Sequence, residues 1–139
     1  MSDPARTLDQ RRAAHAWEAV RRVQREIVPD KQGGYAREAK RLTMRITTAG
    51  LGQALAFLRA KAGGDQQHPN SRLLRDLSAW VLRERFGRTL PETDLDAALL
   101  RAIVEEDALF LRRATAETLT YLQWLTRFAE AEIGALDND

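Results

Sequence analysis

Few groups in this chain could do chemistry. The only imidazoles are His15 and His68, and there is no cysteine. Nucleophilic catalysis needs a nucleophile beside an oriented base. His15 falls on the polar side of a helical wheel, next to Arg11 and Arg22, and His68 falls in the polar loop GGDQQHPN; neither has an evident partner. A histidine metal site needs several ligands at helical or short spacing, which two isolated histidines do not supply. Glu105, Glu106 and Asp107 are consecutive, and consecutive helical residues do not share a face, so they do not read as a metal site. There is no Gly-rich phosphate loop and no strand to carry one. The expectation is therefore no catalytic residue, no metal, no cofactor and no small-molecule substrate.

What remains is charge. Arg37, Lys40, Arg41 and Arg45 occupy one side of a helical repeat, and Arg22 and Arg25 cluster on the polar side of the helix before it. Like charges one turn apart repel by about 0.2–0.5 kcal/mol, so a purely structural face would gain from glutamates here. Arginine on a helix without base-reading motifs suits phosphate backbones. These six residues form the expected phosphate-binding surface. The alternative is a helical adaptor whose basic half docks on acidic protein surfaces, without nucleic-acid contact.

The distribution of charge points the same way. The net charge is +2, but residues 1–61 hold 13 Lys and Arg against 6 Asp and Glu, whereas residues 89–139 hold 4 against 11. The first half is thus at +7 and the last third at −7. Glu105, Glu106 and Asp107 sit at the end of a helix, where the dipole is already negative. They are the expected contact for a basic surface on the next copy or on another subunit, a head-to-tail association.

The elements that must position these groups are helices. Pro4, Pro29, Pro69 and Pro91 fall between periodic segments, and no alternating run is long enough for a strand. Helices are expected at about 8–28, opened by a Thr7/Gln10 capping box, at 35–49 after Gly33-Gly34, at 51–62, at 72–86 capped by Asn70 or Ser71, and at 94–106. The first should bury Ala13, Ala16, Trp17, Val20, Val23 and Ile27, and Gly50 should end the second in a left-handed cap. The last, Thr115–Ile133, is apolar over more than half its circumference, with Thr115 as its cap and Trp124 and Phe128 almost fully buried. The expected fold is a single all-α domain over 1–139, a bundle of about six helices around this C-terminal helix, with an ordered core over about 7–133. The first residues lack the apolar run of a signal peptide, and no run reaches the roughly 18 apolar residues of a membrane span. A cytoplasmic protein without membrane contact is expected.

Three stretches also resemble a known family. They are Arg12…Ala16-Trp17…Val20; Gly50-Leu51-Gly52-Gln53-Ala54-Leu55-Ala56-Phe57-Leu58 followed by Lys61; and Thr115-Ala116-Glu117…Leu119…Leu122-Gln123-Trp124-Leu125-Thr126-Arg127-Phe128-Ala129-Glu130-Ala131. Their order and spacing resemble the small all-helical subunit of the type III-B CRISPR–Cas effector, the Cmr complex. The resemblance implies a noncatalytic subunit in antiviral defence. Its partners would be the other Cmr subunits, further copies of itself in a minor filament, and guide or target RNA.

Overall fold

The first helix begins where the sequence places it. The Gln10 backbone N–H donates to Thr7 Oγ1 at 2.9 Å, and the Thr7 N–H donates to Gln10 Oε1 at 2.8 Å. The structure, a computed structural model, describes residues 5–134. Among these there are no strands; the elements are α1 (Leu8–Glu26), α2 (Pro29–Ala49), α3 (Leu51–Ala62), α4 (Pro69–Ser78) continuing into a π-helical segment (Ala79–Arg85), a 3₁₀ turn (Leu95–Ala97), α5 (Ala98–Glu105) and α6 (Ala108–Ile133). The expected tail beyond residue 134 lies outside the described residues.

α2 starts earlier than expected. Pro29 takes the first helical position, where its missing N–H costs nothing. Gly33 and Gly34 therefore lie inside α2 and do not open it. Gly34 has a packing reason, because an added Cβ would lie 3.3 Å from Pro69 Cγ. Gly50 ends α2 at φ +92°, ψ 158°, a positive-φ turn but not the expected left-handed helical cap. That geometry belongs to Gly63, at φ +60°, ψ 28° after α3.

α4 is almost wholly enclosed. All of its residues except Arg75 are buried, although its sequence, PNSRLLRDLS, is half polar. Three of its polar groups are satisfied by distant elements. Arg72 donates to Glu26 of α1, Tyr35 Oη donates to Asp76 Oδ2 at 2.6 Å, and Ser78 Oγ accepts the Leu99 N–H at 3.0 Å. The cap is His68, not Asn70 or Ser71: its Nδ1 accepts the Asn70 N–H at 3.0 Å. His68 is thus a structural cap rather than a solvated loop residue.

α6 packs on α1, α2 and the π-helical segment, as expected of a hub. It begins seven residues before Thr115, capped by Asp107, whose Oδ1 accepts the Phe110 N–H at 2.9 Å. Thr115 lies inside it and donates to the Leu111 carbonyl. The buried stripe is Phe110, Ala114, Thr118, Tyr121, Leu122, Leu125 and Ala129. Trp124 and Phe128, expected to be almost fully buried, are only partly so. They form an edge cluster with Trp17, which is 42% exposed and not in the core. Trp124 also has a polar outlet, because its indole N–H donates to Asp9 Oδ1 at 3.1 Å.

Candidate nucleic-acid interface

Arg37, Arg41 and Arg45 follow each other along α2 at one-turn intervals. Their charge is partly matched by Glu38, which lies 3.0 Å from Arg45 and 3.5 Å from Arg41. Arg37 forms no ion pair among the described residues. The Arg45 guanidinium lies 4.0 Å from the centroid of the Phe57 ring on α3, and Lys61 Nζ lies 5.7 Å from it. Phe57 remains 41% exposed and Met44 68%. Together Arg41, Met44, Arg45 and Phe57 line a shallow groove between α2 and α3 of about 520 Å³. An exposed ring beneath a guanidinium beside further cations is the element that stacks bases and tracks phosphates on single strands.

The other expected residues lie elsewhere. Lys40 is turned toward α6, with Nζ 3.6 Å from Glu130, in a second groove shared with Trp124 and Arg127. Arg22 lies 3.6 Å from Asp76 of α4, and Arg25 lies 2.8 Å from Glu18. That hydrogen bond from Arg25 holds the Glu18 carboxyl below the usual range. The structure therefore brings Arg41 and Arg45 together, with Arg37 in the same row. It does not gather all six cations around one anion-free surface. The surface is not free of acids, because Glu18 and Glu38 of the same helices pair with Arg25, Arg41 and Arg45, and Asp76 and Glu130 arrive from α4 and α6. Phe57 was missed as a site residue. Its signal was legible, since it stands about 200° from Leu55 and 100° from Leu58, off their buried stripe.

The acidic trio is also divided. Glu106 is gripped by Arg88 through both oxygens, and Asp107 caps α6. Only Glu105 is without a partner among the described residues, and it is flanked by Val104 at 74% exposure.

His15 does not project among the arginines. Its Nδ1 lies 2.6 Å from the Tyr121 hydroxyl, and its ring packs against Trp80 and Tyr121, with both centroids at 5.4 Å. Burial pushes its pKa down to about 4, Glu84 opposing and Arg22 and Arg83 adding to the effect. Such an imidazole, half-buried between the two rings, is neutral near pH 7. Among the described residues, no three His, Cys, Asp or Glu side chains are grouped to hold a metal ion. No described helix is long and apolar enough to cross a membrane.

Buried Glu117 ties three elements together. Arg12 of α1 donates to it from Nε at 2.7 Å and Nη2 at 2.9 Å, Trp80 from its indole at 2.8 Å, and Arg85 from Nε at 3.0 Å. Burial pushes its carboxyl up, and these donors overcome that and hold it below the usual range.

The comparisons with known proteins agree on this fold. The family model described as "CRISPR-associated protein (Cas_Cmr5)" matches residues 8–132. The chain is 35% identical over 128 residues to "CRISPR system Cmr subunit Cmr5" of Thermus thermophilus, covering 92% of this chain and 97% of that protein. A crystal structure of a CRISPR-associated Cmr5 family protein from the same organism superposes with a TM-score of 0.67 at 31% identity, over 91% of this chain and 97% of that one. With the match running from the first turn of α1 to the last turn of α6, the chain belongs to the Cmr5 family of CRISPR-associated proteins.

Proposed function

We propose that this chain is a noncatalytic small subunit of a Cmr-type, RNA-guided effector complex, acting in the cytoplasm in antiviral defence. In this reading it helps hold target RNA along the guide, and its copies stack as a minor filament beside the other subunits. The observation that carries the RNA contact is the α2–α3 groove, with exposed Phe57 under Arg45 and Arg41 on its rim. Phosphates would meet Arg37, Arg41 and Arg45, with Lys40 at the neighbouring groove and Arg22 and Arg25 as outlying cations. For stacking, Glu105 with exposed Val104 is the contact left at the α5–α6 corner, Glu106 and Asp107 being held internally.

The adaptor alternative also has an observation in its favour, the matching of Arg41, Arg45 and Lys40 by Glu38 and Glu130. The deciding experiment is target-RNA binding by the assembled complex, with Phe57→Ala and with Arg41→Glu/Arg45→Glu. Weaker RNA binding with assembly intact supports the RNA reading. Unchanged binding supports the adaptor.

A further inference from the structure

A further cationic groove lies where α1, the π-helical segment and α6 meet. Arg12, Arg85, Phe86, Arg113, Glu117 and Thr120 line it. At about 260 Å³ it is smaller than the roughly 300–1,000 Å³ of small-molecule sites. It has room for a compact charged group rather than a whole nucleoside.

The chemistry of that group follows from which N–H donors remain free. Glu117, at the base, is consumed by Arg12, Trp80 and the Nε of Arg85. Each of the three nitrogens of Arg12 already has a carboxylate partner, the third being Asp9 at 3.1 Å. Arg85 donates only through Nε, so its two terminal amino groups have no protein acceptor among the described residues. Arg113, one helical turn before Glu117, forms no ion pair among them. Its guanidinium lies 5.0 Å from the centroid of Phe86, and that of Arg85 lies 5.8 Å from the same ring.

One phenyl ring thus carries two guanidiniums with unused forks beside a carboxylate already neutralised. The Glu117 bond orients the Arg85 fork, and the Arg113 guanidinium rests beside the same ring. Planar, weakly hydrated forks of this kind match phosphate oxygens two at a time, and an anion between them would relieve their mutual repulsion.

We propose that Arg85 and Arg113 form a phosphate-binding subsite, separate from the α2–α3 groove and independent of whether that groove binds RNA. The phosphate is either a backbone phosphodiester of a nucleic-acid strand or a free phosphate ion. The test is an NMR titration of the full chain, following the Arg side-chain Nε–H signals and the Ala116 and Thr120 amides. One arm uses inorganic phosphate and the other a short single-stranded RNA, each against sodium chloride at equal ionic strength.

Saturable shifts confined to this groove are expected in at least one arm. Arg113→Gln should weaken them about tenfold or more, and Arg112→Gln should leave them unchanged. A response to RNA, with or without one to phosphate, assigns a backbone phosphate, and a response to phosphate alone assigns the ion itself. Arg113 has no ion pair to lose, so its variant should fold, as the amide spectrum will show. Shifts matching those in chloride, or persisting undiminished in Arg113→Gln, would overturn the proposal. Loss of RNA binding through Phe57→Ala leaves it standing, which separates the two readings.

Discussion

His15 and Asp76 are both held away from water, with opposite consequences for stability. Burial raises the Asp76 carboxyl to about 6 against the Tyr35 hydrogen bond and Arg22, while burial lowers His15 from 6.5 to about 4. For Asp76 the folded state binds the extra proton, so stability is lost as pH rises from about 4 to about 6. For His15 the unfolded state binds it, so stability is gained as pH rises from about 4 to 6.5. Each effect is about 3 kcal/mol, and the windows overlap, so these two contributions largely offset each other there. Asp76→Asn keeps an acceptor for Tyr35 and removes one slope. Urea unfolding of that variant should show stability climbing between pH 4 and pH 6.5, and a flat profile would refute the assignment. Glu117→Gln should cost about 3–5 kcal/mol, since it leaves Arg12 and Arg85 short of their shared charge; equilibrium denaturation measures this. Neither buried cluster was legible in the sequence. A helical wheel places His15 by its own helix, whereas its environment comes from Tyr121 and Trp80 on other elements.

At the scale of elements, the legible parts were those governed by local rules. The Thr7/Gln10 box and the helix breaks at Gly50 and Gly63 each act within a few residues, whereas Pro29 read as a break and proved to be the first residue of α2. The enclosed helix α4 was the least legible. Its burial rests on partners such as Glu26, Tyr35 and Leu99, so its half-polar sequence reads as a surface helix. The start of α6 was hidden for a related reason, because Asp107 was read as part of an acidic patch and not as a cap. The two glycines inside α2 give a local test. Gly33 has open space where a Cβ would go, whereas Gly34 faces Pro69. Gly33→Ala should stabilise the protein by about 0.5–1 kcal/mol. Gly34→Ala should gain less or lose, because the α2–α4 contact must yield. Thermal unfolding of the pair checks the order.

For the whole molecule, the charge asymmetry survives folding in reduced form. Cross-helix pairs such as Arg22–Asp76 and Lys40–Glu130 join the basic half to acids further along the chain. The site was therefore only partly legible: sequence located the α2 cations, but only the fold showed which ones are matched. Lys40→Glu with Arg41→Glu should weaken RNA binding by the assembled complex and flatten its dependence on salt, since fewer counterions are released. Equal slopes for variant and wild type would count against phosphate contact at α2. The α1–α6 interface has a different consequence, one of timing. Its bonds join residues far apart in the chain, Arg12 to Glu117, Arg21 to Glu132 and Asp9 to Trp124. A ribosome adding about 5–20 residues per second needs roughly 5–20 s between the two ends of the Arg12–Glu117 bond. Throughout that interval the nascent chain carries Ala16, Val20 and Val23 without the surface that covers them. Completion of the core must wait for the last helix to emerge. A fragment ending at Glu106 should therefore lack cooperative unfolding by circular dichroism, and a sharp transition in it would show that α1 finds its place without α6.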